Sequence, residues 1–194
     1  MKLSERQKQI VDESIKLIAN SGIQSLTIKN ISQAIGVSEP AIYRHFKSKF
    51  DIIMAVLSSF ETISEFVFTD VEKEELSSIG KIRKFLFDRY ERFVQNPEMA
   101  KVMFSEAVFE DDPKYSEKML SIMHQHGMKM RTIIVEGQNK NEIRKDIDAK
   151  ELFRIIFGSM RLLVTQWCLS NFNFDLIQEG SQLWESVKQL IRVE

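Results

Sequence analysis

The sequence predicts an all-α protein of about nine helices, in which a small helix-turn-helix unit over residues 1–47 precedes a larger helical body over 48–194. Three observations carry that expectation. Apolar residues recur three and four apart along most of the chain, the period of an amphipathic helix. Helix-start signatures punctuate those stretches at Ser4, Thr27, Ser48, Asn96, Asp112 and Asp148. Seven Gly, three Pro and the lack of sustained alternating runs argue against an all-β fold.

The first helix opens on Ser4-Glu5-Arg6-Gln7, a capping box, and should run to about Ser21 before Gly22, burying Ile10, Val11, Leu17 and Ile18. Thr27 caps a second helix over 28–35, with Ile28, Ile31 and Ile35 inward and Lys29, Asn30, Ser32 and Gln33 outward. Gly36 supplies the positive φ of a tight turn, Ser38 an N-cap oxygen, and Pro40 a first-turn residue whose missing N–H costs little. In the two-turn helix that follows, Ile42 and Phe46 share the inward face. Pro40, Ala41 and Arg44 lie opposite, flanked by Tyr43 and His45. Small groups beside a cation, a phenol and an imidazole suit a helix laid in a DNA major groove.

Ser48, with Asp51 at the third helical position, starts a long fourth helix that carries the chain into the body without a Gly- or Pro-rich linker. The charge run Glu72–Glu75 reads as a solvated connection, and Ser78 as the cap of a helix through Gln95. Asn96-Pro97 and Asp112-Pro113 pair a cap with a first-position proline. Gly127 is placed to kink the next long helix and Gly137 to end it. Asp148 to Glu151 opens a helix to about Asn171, and the last helix starts near Phe174 or Asp175.

Composition sets further limits. A hydrophobic content of 43% is that of a globular chain. No apolar run approaches the roughly 18–20 residues of a membrane span, and Met1 to Glu5 is no signal peptide, so no membrane partner is expected. One cysteine, Cys168, excludes an intramolecular disulfide and fits a reducing cytoplasm, where a buried structural thiol is favoured over a redox sensor. Residues 1–50 hold eight Lys/Arg against four Asp/Glu, whereas the remainder holds nineteen against twenty-four. A basic head on an acidic body suits a protein that sets one end on a polyanion.

Residues Thr27 to Ser38, continued by Ile42-Tyr43-Arg44-His45-Phe46-Lys47-Ser48-Lys49, closely resemble the DNA-binding domain of TetR-type (tetracycline-repressor-like) transcriptional regulators. The resemblance covers roughly residues 4 to 60, and its Tyr-x-His-Phe-x-Ser-Lys ending is specific. It implies a homodimeric repressor of a palindromic double-stranded operator, released by a small-molecule inducer. Tyr43, His45 and Lys49 match phosphate-contacting positions; Glu39, Pro40, Ala41 and Arg44 match positions facing bases; Thr27 and Lys29 are expected on the backbone. Ser38 is counted with them. Glu39 departs from a purely basic surface: its carboxylate can accept from cytosine N4 but repels phosphate.

In such proteins the last two helices usually form the dimer seam, here with Leu163, Gln166, Trp184 and Val187. The alternative is that these stripes close the monomer's own core. An inducer is expected among the Phe- and Met-rich helices, at Phe85, Arg89, Phe93, Met103, Met123, Phe157, Arg161 and Trp167, where an acyl chain would suit the lining. Each of these residues could equally be core. No cofactor, metal or catalysis is expected, because His124 and His126 diverge by about 160° on a helix and no Cys pair is present. Glu106 and Glu110 read as a solvated face. The competing functional class is a helical small-molecule sensor or carrier without operator-specific DNA binding.

Overall fold

The computed structural model describes residues 3–105, 110 and 112–193, without the side chain of Glu72. Among them are nine α-helices: α1 (Glu5–Ser21), α2 (Ile28–Ala34), α3 (Glu39–Tyr43), α4 (Lys49–Lys73), α5 (Ser78–Gln95), α6 (Pro97–Met103), α7 (Pro113–Asn139), α8 (Ala149–Leu169) and α9 (Leu176–Ile191). A 3₁₀ turn spans Ile23–Ser25, and the described residues hold no strand beyond one antiparallel bridge between Ile143 and Arg192. By packing the chain falls into two compact units, one within Met1–Thr62 and Glu98–Ser121, the other within Ile63–Pro97 and Ile122–Glu194.

In the first unit the local signals set the helix ends. Ser4 and Gln7 form the reciprocal capping box, and Gly22 ends α1 at φ 76°. The Thr27 hydroxyl accepts the N–H of Asn30, and the Ser48 hydroxyl that of Asp51. α1 packs on the 3₁₀ turn and on α2, which packs on α3, around Ile10, Val11, Leu26, Ile31 and Ile42. Three expectations are corrected here. Ser32 is buried, not outward, because its hydroxyl donates to the carbonyl of Lys29 and its own carbonyl receives Val37 N–H. Helix α3 is five residues long, not two full turns, and Phe46 reaches the core just beyond it. The Ser38 side chain makes no capping bond; only its carbonyl does, accepting the N–H of Ala41.

The second unit is closed by α5, α8 and α9 with the later part of α7. α9 packs on both α5 and α8. Gly180 of α9 meets the buried ring of Tyr90, so that a Cβ there would lie 2.6 Å from Tyr90 Cε2. Glycine again serves close approach in α7, which runs unbroken through Gly127 and past Gly137. A Cβ at Gly137 would lie 2.6 Å from Ile143 Cδ1 and 2.7 Å from Ser78 Cβ, and one at Gly127 would lie 3.2 Å from the Phe153 ring. Gly137 is therefore not the helix end its type suggested.

The cap of α5 is Ser77, one residue before the expected Ser78. Ser78 instead gives its backbone N–H to the carboxylate of Glu142 at 2.6 Å. Arg144 N–H donates to the carbonyl of Ile191 at 2.9 Å, so the loop after α7 clasps the start of α5 and the end of α9. α8 ends at Leu169, two residues early, in a turn where Asn171 and Phe172 take φ 55° and 63°. The membrane expectation is also corrected: Lys49–Val71 and Ala149–Leu169 are each long and apolar enough to cross a bilayer by length and composition. Their sparse charges break no run; in α4, Glu61 and Glu65 meet Lys118 and Lys129 respectively.

Candidate nucleic-acid interface and ligand-binding region

The residues expected at DNA lie on one stretch of the first unit, from the start of α2 through α3 to the start of α4. Thr27, Lys29, Ser38, Glu39, Pro40, Tyr43 and Arg44 are exposed; Ala41, His45 and Lys49 are half-buried. An exposed guanidinium and phenol on a short helix can reach base edges and phosphates, and the first-turn N–H groups of α2 and α3 add a weak positive potential. The Lys49 ammonium lies 3.3 Å from the Ile23 carbonyl, so it ties α4 to the 3₁₀ turn as well as facing outward. The carbonyl of His45 receives Gln7 Nε2 at 3.3 Å, which links the end of the recognition segment to α1. Lys47 is exposed beside these groups and had no role assigned from the sequence. It also borders an open groove of about 680 Å³, with Gln7, His45, Asp51, Ser58 and Lys118 on its walls. No linear motif marks that groove, because its walls come from α1, α4 and α7.

The eight residues expected at a ligand do not all meet. Phe85, Arg89 and Phe157 do, in the second unit: the Arg89 guanidinium carbon lies 5.0 Å from the Phe85 ring centre and 5.7 Å from that of Phe157. Arg89 is 4% exposed and donates through Nη2 to Ser64 Oγ at 2.5 Å. Phe68 stacks against Phe85 at 4.4 Å and approaches the imidazole of His126 at 6.0 Å. Burial, followed by the charge of Arg92, pulls the Arg89 guanidinium down to about 10, still protonated at neutral pH. Burial also pulls His126 down to about 3, helped by Arg89 and Lys129, so its ring is neutral.

Phe93 is buried on α5, Arg161 is half-buried on α8, and Trp167 is buried against Phe172 with its Nε1 donating to the Phe174 carbonyl. Two members are corrected. Met123 is 47% exposed, on the outer side of α7, and Met103 belongs to the first unit. Ser64, the hydrogen-bond partner of Arg89, and the buried His126 were missed. Their signal was a lone polar residue on an otherwise apolar helical face, which sequence alone cannot tell from a satisfied core group.

At the seam, Leu163 is half-buried and Gln166 exposed, but Trp184 and Val187 are 2% and 4% exposed within the single chain. They close the chain's own core and are corrected on that ground. The outward line of α8 is instead Ile155, Leu162 and Leu169, of which Leu162 is 60% exposed. Cys168 is half-buried rather than buried. Among the described residues no group of three or more His, Cys, Asp or Glu could hold a metal. Glu110 is exposed, and Glu106 lies outside the described residues.

A basic helix-turn-helix unit with an exposed recognition segment, joined to an all-helical body, defines a helix-turn-helix transcriptional regulator. Residues 10–56 match the bacterial regulatory proteins of the tetR family, and residues 59–192 match the C-terminal region of YsiA-like protein. The chain belongs to the tetR family. It is 24% identical to the fatty acid metabolism regulator protein of Bacillus subtilis, over 91% of this chain and 91% of that protein. It is 30% identical to the nucleoid occlusion factor SlmA of Actinobacillus pleuropneumoniae, over 97% of this chain and 93% of the relative. The crystal structure of the regulator FadR from Bacillus subtilis, in complex with stearoyl-CoA, shares the fold at a TM-score of 0.82 and 21% identity, covering 93% of this chain and 96% of that one.

Proposed function

We propose that this protein is a cytoplasmic repressor that holds a palindromic operator as a homodimer and releases it when an amphipathic, acyl-type molecule binds its body. The head, residues 1–47, reads DNA; the body, 48–194, takes the ligand and the second copy. One observation carries the reading: the same chain has an exposed recognition helix on a basic head and, in its second unit, aromatic rings gathered around a buried cation. The likeness to FadR, whose structure contains stearoyl-CoA, supports an acyl-type inducer. Ile155, Leu162, Leu163, Gln166 and Leu169 supply the seam with the partner copy.

Release requires that the ligand favour the arrangement that does not fit DNA, since equal affinity for both shifts nothing. Half-sites lie about 34–36 Å apart, so a modest change in head spacing misaligns both recognition helices. The test is unbiased selection of bound DNA, followed by release with pooled acyl compounds. The likeness to nucleoid occlusion factors favours a second reading, in which the chain binds DNA in nucleoid occlusion and acyl compounds do not release it. Selected DNA that no acyl compound releases would support that alternative.

A further inference from the structure

Gln7 makes a bond that its place in α1 does not call for. The third position of a capping box takes Glu or Gln alike, because only a side-chain acceptor is needed to receive the N-cap N–H. An acid there is further favoured by the positive end of the helix. The Gln7 amide fills the acceptor role with Oε1, which receives Ser4 N–H at 3.0 Å. Its Nε2 is then turned to the His45 carbonyl, at 3.3 Å and 38 residues away along the chain. Ser4 N–H can only donate and the His45 carbonyl can only accept, so the two partners fix which end of the amide faces which. Glutamate at this position would complete the box and leave His45 unheld.

The segment so held carries the exposed groups expected at DNA. α3 has five residues, too few to set its own direction, since one helical turn is unfavourable unless it docks on something else. The chain just beyond it is fixed at three points. The Ile42 carbonyl receives the N–H groups of His45 and Phe46 at 2.9 and 3.1 Å, Phe46 is buried, and Gln7 takes the His45 carbonyl. Tyr43, Arg44 and Lys47, all exposed, flank that peptide. Building on the DNA-binding reading, we propose that Gln7 is a positioning residue for operator recognition: its Nε2 bond to the His45 carbonyl holds Tyr43, Arg44 and Lys47 in the orientation that fits the major groove. Without the bond the segment shifts about Phe46, and only the fraction in the fitting orientation reads bases. Non-specific binding, which rests on phosphate charge, tolerates that shift.

The experiment compares Gln7→Glu, Gln7→Met and Ser4→Ala in the full-length protein, by thermal unfolding and by binding to the selected operator and to random-sequence DNA. Gln7→Glu keeps the box and should leave Tm near wild type. Its ratio of operator to random-sequence affinity should fall, by up to about 10-fold per head and about 100-fold for a dimer, the range of one neutral hydrogen bond in each head. Gln7→Met adds no charge and should lose selectivity too, which separates the lost bond from repulsion of phosphate. Ser4→Ala does the reverse, removing the oxygen that receives Gln7 N–H while leaving the amide in place. Its Tm should fall by about 1–8 °C with the affinity ratio unchanged. An unchanged ratio in both Gln7 variants overturns the proposal. So does an equal loss in Ser4→Ala, which would make the whole helix end responsible. In those cases the wild-type chain still selects an operator, and the repressor reading stands. A wild-type chain that selects no sequence overturns that reading, and the role of Gln7 with it.

Discussion

Gly180→Ala tests the close approach of α9 to α5 in the second unit. The added Cβ would lie 2.6 Å from Tyr90 Cε2, 2.8 Å from Cδ2 and 3.2 Å from Cζ, about 1 Å inside ordinary carbon contact. Tyr90 is fully buried, so its ring cannot swing into solvent, and α9 must lift from α5 or the ring must leave its rotamer. Overpacking of this kind costs roughly 1–3 kcal/mol. The better helix propensity of alanine returns about 1 kcal/mol. A net loss of up to about 2 kcal/mol is expected, or up to roughly 8 °C in Tm for a chain of this size. Chemical denaturation of Gly180→Ala, Tyr90→Leu and the double variant measures it. With the ring removed, Gly180→Ala should become neutral or stabilising, giving a clear coupling. Equal effects of Gly180→Ala in the wild-type and Tyr90→Leu backgrounds would refute the close approach of α9 to α5.

Other outcomes follow from the same structure. Lys49→Ala should weaken binding about equally on all DNA sequences, lowering the salt slope by roughly one unit per half-site. Arg44→Ala should relax preference at one or two base positions, at about 1–3 kcal/mol per contact; competition on a randomised site library separates the two. Leu162→Glu should yield folded monomers in analytical ultracentrifugation, whereas Trp184→Ala, inside the chain's own core, should cost about 3–5 kcal/mol of stability. His126 titrates near its ordinary value when unfolded but only at about 3 when folded, so the unfolded chain binds the extra proton between those values. Stability should fall as pH drops from about 6.5, with up to about 1.4 kcal/mol per pH unit from this group, and His126→Phe should flatten that slope.

Helix ends were legible where a side chain bonds its own neighbourhood. The Ser4–Gln7 box and the caps at Thr27, Ser48 and Asp175 each depend on residues two or three apart. Glycines inside helices were not legible, because the atoms that require them, on Ser78, Ile143, Phe153 and Tyr90, arrive from other elements. An apolar stripe likewise shows how wide a helix face is, not which edge of it the chain covers. Trp184 and Leu162 belong to similar stripes, yet one is core and the other surface. The helix-turn-helix from Thr27 to Arg44 was readable because it is contiguous in sequence, whereas Ser64, Arg89 and His126 come from three helices.

The clasp formed by Glu142, Ile143 and Arg144 bears on the order in which the protein is made. It joins the N–H of Ser78 to a carboxylate and the carbonyl of Ile191 to Arg144, and it bridges Arg192. During synthesis α5 emerges with its first N–H groups open, and they wait for the α7–α8 loop to supply Glu142. That loop in turn has no partner until Ile191 and Arg192 leave the ribosome. At about 5–20 residues per second, the interval from Ser78 to Arg192 is on the order of ten seconds. For that time the second unit lacks its closing contacts, and the aromatic faces of α5 and α8 stand open to chaperones. The first unit draws its α1–α3 packing from the opening third of the chain, so the head can fold while the body is still being translated.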